Sequence, residues 1–331
     1  MPSPSSDAAG VPNGPLTWPC ARAMFANAFE LTLERRIKYG WRSALTRHVR
    51  RRLLREITGH AMCEALFRAR PRALYPVMNH LIDRRMTARQ RLHTTLASLR
   101  VVCGSVGGDA NLSELLTRGL TLLELADRTR LVLSLNEVSF HEGLWQVGLI
   151  GEDGVRLYSI GFGFTDAQTL LMGNVQGPSL KDDGLERIRD ATHAAHGMRP
   201  PHLLVHALRV LAAHWGVTRL RGVDPLNHVK GKWNLRDSRL RFDYRGFWAE
   251  HDGARDASGN WGLPLDTALR QLEEVPTKRR AMYRRRYAML ETLQLAVAAL
   301  PQARHASLPP DASPDSADSA NASTLEPVLA A

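Results

Sequence analysis

The chain has 331 residues, 44% of them hydrophobic, and 44 Lys and Arg against 33 Asp and Glu give a net charge of +11. That length suits two domains, or one large domain with extensions, and the apolar content excludes a wholly disordered chain. Three widely spaced cysteines (Cys20, Cys63, Cys103) exclude a disulfide scaffold, and no run of about 18 apolar residues marks a membrane span.

In chain order, residues 1–16 (MPSPSSDAAGVPNGPL) are rich in Pro, Ser and Ala and read as a disordered tail. Residues 17–108 read as a helical region. Phe25, Phe29, Leu33 and Ile37 recur at helical intervals, as do Leu45, Val49, Leu53 and Ile57. The stretch RARPRALYP breaks the pattern near Pro71 and Pro76. A second run carries Leu81, Met86, Leu92, Leu96 and Leu99, and the glycines of CGSVGGD end the helical part.

The period then changes from helical to alternating. RLVLSLNEVSF, GLWQVGLIGEDG, VRLYSIGFGF and QTLLMGNVQG predict four short strands of an antiparallel meander, with EDG as a hairpin turn. A helix over 182–195 and a second from Pro200 or Pro201 to Trp215 follow, with Gly216 as its stop. VTRLRGVD and RLRFDY are further strand candidates, and TKRRAMYRRRYAMLETLQLAVAAL predicts a long terminal helix. Residues 301–331, with Asp311, Asp315, Asp318 and Glu326, read as a second, acidic disordered tail. The folded part is therefore more basic than the whole, with its cations concentrated at 42–55 and 278–286.

The stretch HGMRPPHLLVHALRVLAAHWG, His196 to Gly216, carries the first functional expectation. Leu204, Leu208, Leu211 and Trp215 form one apolar stripe, while His202, His206 and Arg209 take another face. Proline suits a first helical turn, and the free N–H groups and dipole there favour an anion. The expected anion or cofactor pocket consists of Arg199, Pro200, His202 and Gly197, faced by Asn174, Gln176 and Gly177 from the preceding strand end. An ordinary rigid helix start explains the same residues. His202 and His206 are four apart, but no Glu or Cys accompanies them, and no metal site is assigned. Asp224 at a strand end, with Asn227 and His228 just beyond, are candidates for substrate orientation or proton transfer, and His196 is a further catalytic candidate. A turn accounts for the Asp-Pro and Asn equally well. Tyr283 and Tyr287 interleave the terminal basic run, which is a nucleic-acid face or a solvated helix.

The order of meander, helix start, helix and strand is similar to the C-terminal half of GCN5-related acyltransferases. The loop that in those enzymes holds the coenzyme A pyrophosphate carries Gln/Arg-x-x-Gly-x-Gly/Ala, of which HGMRPPH keeps only Gly197 and Arg199. The motifs LVLSLNEVSFHEGLWQVGLIGEDGVRLYSIGFGF, MGNVQGP, HGMRPPHLLVHAL, LNHV, FDYRGFW and VPTKRRAMYRRRYAMLE, in this order, resemble the bacterial VirK/YbjX family across about 25–300. In NHVKGKW the aromatic and arginine expected soon after NHV are missing. The resemblance implies links to virulence, envelope stress or resistance to antimicrobial peptides, and no catalytic residues.

The sequence therefore predicts an α+β protein: a helical region over 17–108, then an acyltransferase-like α/β domain over 109–300 with a long C-terminal helix. Two functions remain open. One is an acyltransferase-like enzyme, or an acyl-CoA-binding protein, using coenzyme A or a related carrier. The other is a non-enzymatic stress protein whose basic surface engages an anionic partner: nucleic acid, lipid or an acidic protein. With no basic-then-apolar secretion signal, the expected location is the cytoplasm.

Overall fold

The computed structural model describes residues 16–25, 32–178, 184–231 and 242–302. The two expected tails lie almost wholly outside these residues, as do Phe29 and the first half of the RLRFDY candidate. An eight-stranded, mostly antiparallel sheet forms the centre: β1 (Leu120–Glu124), β2 (Arg130–Leu135), β3 (Trp145–Ile150), β4 (Arg156–Asp166), β5 (Thr169–Gln176), β6 (Arg219–Gly222), β7 (Ala254–Arg255) and β8 (Trp261–Leu263). The spatial order is β1-β2-β3-β4-β5-β6-β8-β7, and every pairing is antiparallel except β5 with β6.

Helices α1 (Ala21–Met24), α2 (Leu33–Leu45), α3 (Arg47–Ile57), α4 (Ala61–Ala69), α5 (Tyr75–Met78), α6 (Ala88–Val106) and α7 (Gly108–Thr117) precede the sheet. Helices α8 (Gly184–Ala194) and α9 (Pro200–His214) join β5 to β6, α10 (Tyr244–Glu250) follows β6, and α11 (Thr277–Ala298) closes the fold. The architecture is α+β.

Local chemistry explains these elements. The Thr87 side chain accepts from Gln90 N–H while the Gln90 side chain accepts from Thr87 N–H, a reciprocal cap that starts α6. Strand β3 buries residues on both faces, and Trp145, Val147 and Leu149 are wholly inaccessible. At about 1.5–3 kcal/mol for each large apolar side chain, such strands dominate the stability of the sheet. Leu203, Leu204, Leu208 and Leu211 of α9 are equally buried, and α9 packs on β3 and β4. One continuous apolar cluster runs from Met24 to Val297, so the described helices and sheet share a core.

Several elements differ from expectation. The glycines after α6 bend the chain, with Gly107 at φ 59°, but helix α7 follows and the helical part continues to Thr117. Strands β1, β7 and β8 carry too little alternation to be read in advance. Tyr244, placed in a strand candidate by its sequence, begins α10, where the Asp243 side chain accepts from Gly246 N–H. Arg209, on the second face of α9, is buried: its guanidinium donates to the carbonyls of Pro264 and His251 and to Thr267 Oγ1.

Candidate functional site

The His196–Gly216 stretch is two helix ends back to back. Gly197 N–H donates to Thr192 O at 2.8 Å and His196 N–H to His193 O at 2.9 Å, the paired bonds of a Schellman stop for α8. His196 (φ 52°) and Gly197 (φ 76°) hold the left-handed turn this stop requires, and Arg286 donates two hydrogen bonds to His196 O. Gly197 and His196 thus close α8 and face α11.

Beyond its N-cap residue Arg199, the first turn of α9 offers no free backbone donor. Pro200 and Pro201 have no N–H, and the next two N–H groups, of His202 and Leu203, both bond to Arg199 O, at 2.9 and 3.1 Å. The double proline that fixes the helix start removes the donors an anion would use. Arg199 itself donates to Glu250 Oε2 at 2.6 Å, and His202 Nε2 lies 2.9 Å from Arg199 Nη2. A cleft of about 310 Å³ opens here between Arg199, His202, Tyr158, Phe242, Phe247 and Glu250. Gly177 backs onto Tyr158, on the wall of this cleft. The seven expected anion-site residues are therefore divided: Arg199, Pro200 and His202 line the cleft, Gly177 stands behind it, Gly197 faces α11, half-buried Gln176 ends β5, and Asn174 belongs to a different centre.

That centre lies where β5 and β6 part. The parallel pairing runs from Thr169–Arg219 to Met172–Gly222, and Val223 N–H still reaches Met172 O. Beyond it, a bulge at Gly173 in the β4–β5 register bends β5. Gly161 and Gly173 lack a Cβ exactly where one would strike the Glu142 carbonyl, so the segment carrying Glu142 lies directly on the sheet. Glu142 is buried, with Lys230 Nζ at 2.6 Å and Asn174 Nδ2 at 3.4 Å from Oε2, and His228 Nε2 at 3.3 Å from Oε1. The His228 contact is too oblique for a good hydrogen bond and acts as an electrostatic one. Lys230 N–H donates to His228 Nδ1 at 3.0 Å, which leaves the neutral ring's proton on Nε2, facing the carboxylate.

Burial alone would raise the Glu142 pKa. The His228 contact and the Lys230 ammonium outweigh it and bring it down to about 2, so Glu142 is ionised. Tyr244, whose ring centroid is 5.5 Å from that of His228, is pushed well above the ordinary tyrosine range, first by burial and then by the Glu142 charge. Its hydroxyl accepts from Val175 N–H of β5 at 3.4 Å. Lys230, half-exposed, connects the centre to solvent.

Ile82 fixes the two strands of chain that carry these groups. Its N–H donates to His141 O at 2.6 Å and its carbonyl accepts from Val229 N–H at 3.1 Å. Ile82 does this at φ 50°, a region that costs a β-branched residue on the order of 1–3 kcal/mol, while its side chain is wholly buried.

Asp224 and Asn227 serve a neighbouring polar network. Asp224 accepts from Leu226 N–H, Trp261 Nε1 and Arg245, and its own N–H donates to Asn260 Oδ1. Asn227 donates to Gly259 O and Asn260 Oδ1, and Asn260 donates to Asp83, which holds Arg85. These buried bonds tie the end of β6 to the loops around Asp83 and Asn260. Of the four catalytic candidates, only His228 enters the Glu142 centre.

His202, His206 and His251 each leave one buried ring nitrogen without a partner. Burial, then the Arg209 charge, lowers His206 to about 4; burial, then His202, Arg209 and Arg199, lowers His251 to about 3. Among the described residues no group of three or more His, Cys, Asp or Glu is arranged to hold a metal. On α11, Tyr283 and Tyr287 meet edge to face at 5.9 Å and Arg286 stacks on Tyr283, so the two rings are engaged with neighbours. No described helix is long and apolar enough to cross a membrane.

Sequence reasoning missed Glu142, Lys230 and the role of Tyr244. Glu142 carried one visible signal: a carboxylate immediately before Gly143, between the apolar runs of β2 and β3.

Comparison with known proteins places these features in a family. Residues 30–299 match the family described as "Protein of unknown function (DUF535)". An uncharacterised protein of Haemophilus influenzae is 32% identical over 222 residues, covering 67% of this chain and 75% of that protein. YbjX of Escherichia coli, also uncharacterised, is 31% identical over 153 residues, 45% of this chain and 46% of its own. A protein of Mannheimia haemolytica named "Membrane protein LapB" is 28% identical over 208 residues, 62% of this chain and 90% of that one. With the family match spanning most of the chain, the protein belongs to the DUF535 family, the VirK/YbjX family of bacterial proteins.

Proposed function

We propose that this protein transfers an acyl group from a thioester carrier to an amine or hydroxyl. The observation that carries the reading is the parting of the parallel pair β5–β6, with Glu142, His228, Lys230 and Tyr244 gathered at its start. Antiparallel strands in chain order, then one parallel pair joined through helices, then β8 set between β6 and β7, make an order similar to that of GCN5-related acyltransferases. Among the described residues, β5 beyond Met172 has no strand on its β6 side, and an extended, amide-bearing arm can lie along such an edge as an added strand does.

In this reading Tyr244 is the proton donor to the leaving thiolate. Its raised pKa keeps it protonated, and the hydroxyl already stands at the β5 backbone. The acceptor group releases one proton as the thiolate takes one, so the exchange balances. Glu142, held ionised, orients the Lys230 ammonium and the His228 N–H. The start of α9 does not fit the pyrophosphate of coenzyme A, because its N–H groups are bonded internally and Arg199 is paired with Glu250. No role is assigned to carrier phosphates there.

The test is binding and turnover together: acyl-coenzyme A and acyl-pantetheine are titrated into the full chain while melting temperature and free thiol are followed. A donor-dependent rise in melting temperature, with thiol release in the presence of an amine or hydroxyl acceptor, is expected. No shift and no thiol with either donor would refute the reading.

A further inference from the structure

We propose that α2 docks flat on an anionic lipid surface. Leu33, Ile37, Trp41 and Leu45 recur every four residues along this helix and are 71%, 64%, 68% and 60% exposed. Side chains at this spacing share one face of an α-helix. The face directly opposite, by helical geometry, carries Tyr39, the one buried residue of α2. Trp18 Nε1 donates to the Tyr39 hydroxyl, which donates to Pro19 O, and Arg42 donates to the Tyr75 hydroxyl. The helix is thus fastened from behind and presents its apolar side outward.

A soluble fold rarely shows a contiguous stripe of four large apolar residues; exposed apolar residues elsewhere in the described chain are scattered singly. The other large ones are Val138, Val155, Leu185, Leu269 and Leu295, and Val138 lines a cleft shared with Lys38 and Arg42 beside the same helix.

Charge selects the occupant. Residues 32–57 hold nine Lys and Arg against two Glu. Arg36 and Lys38 flank the stripe, and the exposed Arg36, Arg47, Arg51 and Arg55 make no ion pair among the described residues. A basic helix with Trp, Leu and Ile on one face matches the chemistry of an interfacial helix, with apolar groups reaching the acyl boundary and cations among anionic headgroups. A nucleic acid has no use for three aliphatic side chains in a row. A second copy of the chain would bring the two basic faces against each other.

The experiment is flotation of the full chain with vesicles of phosphatidylcholine alone or mixed with phosphatidylglycerol. Binding roughly tenfold or more stronger to the anionic vesicles is expected, weakened but not abolished at about 0.5 M salt. The double variant Ile37→Ser/Trp41→Ser should lose roughly tenfold or more of that binding, and Arg36→Glu should lose part of it, with melting temperature unchanged because all three residues are exposed. The proposal is overturned if wild type ignores anionic vesicles, or if the double variant binds as wild type does. It is also overturned if wild type is a dimer that the double variant converts to monomer, since a second copy would then cover the stripe. Thiol release needs no vesicles, so either activity succeeds or fails independently of the other.

Discussion

Glu142 is a carboxylate withdrawn from water yet held ionised by Lys230 and His228, and this makes it a titratable contributor to stability. Its folded pKa of about 2 lies below the ordinary 4.5 of a glutamate. Its contribution is therefore complete above pH 4.5 and is lost as pH falls from there toward 2, on the order of 3 kcal/mol in all. Glu142→Gln should cost about 3–5 kcal/mol at neutral pH and flatten this acid limb, as read from denaturant midpoints across pH. His206 and His251 act at higher pH. Both are bases held neutral, at about 4 and about 3, so below the ordinary 6.5 the unfolded chain takes up protons that the folded one refuses. Their contributions are present above pH 6.5 and lost as pH falls toward 4 and 3, together several kcal/mol. The double variant His206→Gln/His251→Gln should show a melting temperature that depends less on pH between about 6.5 and 4 than wild type does. Equal slopes would mean that the two rings are not held neutral by burial.

At the scale of elements, the glycine pattern of β4 and β5 reports how closely other backbone approaches the sheet. Gly173→Ala would drive a Cβ into the Glu142 carbonyl, and a loss of about 1–3 kcal/mol, with weakened thiol release, is expected in denaturation and turnover assays. Arg199→Ala removes an exposed ion pair and should change stability by no more than about 1 kcal/mol. Because the N–H groups behind Arg199 are already bonded, anion affinity should not change either; a tenfold loss of affinity in a phosphate or acyl-coenzyme A titration would restore the pocket at α9. This helix also shows what was legible. The stripe Leu204, Leu208, Leu211 and Trp215 is buried as its spacing implies, and Gly216 stops the helix in a left-handed turn at φ 66°. Periodicity records which face is apolar, but not whether that face meets protein. In α2 the same spacing faces outward, because Tyr39 and Arg42 supply the anchoring contacts. Sequence also could not show that His202 and Leu203 N–H close on Arg199 O, since a proline pair is compatible with free donors or none.

At the scale of the whole molecule, one apolar core joins the leading helices to the sheet, and the parallel pair β5–β6 opens toward a polar centre assembled from distant segments. Glu142, Asn174, His228 and Tyr244 come from four separate stretches of chain, brought together through the Ile82 crosslink and the glycine gaps in β4 and β5. The family was legible because ordered motifs survive in sequence. The centre was not, because of its members only His228 and Asn174 stand in stretches that read as sites, each assigned to a different one, and the long-range contacts that join them to Glu142 leave no local pattern. The central claim is that Tyr244 supplies a proton to a leaving thiolate at this centre. The most direct measurement is free-thiol release from an acyl thioester in the presence of an amine or hydroxyl acceptor, for wild type and Tyr244→Phe side by side, with melting temperatures of both. The account predicts turnover by wild type and a loss of about a hundredfold or more in kcat for Tyr244→Phe, with little change in melting temperature. Equal turnover by the two proteins, or none by wild type with any thioester, would contradict it.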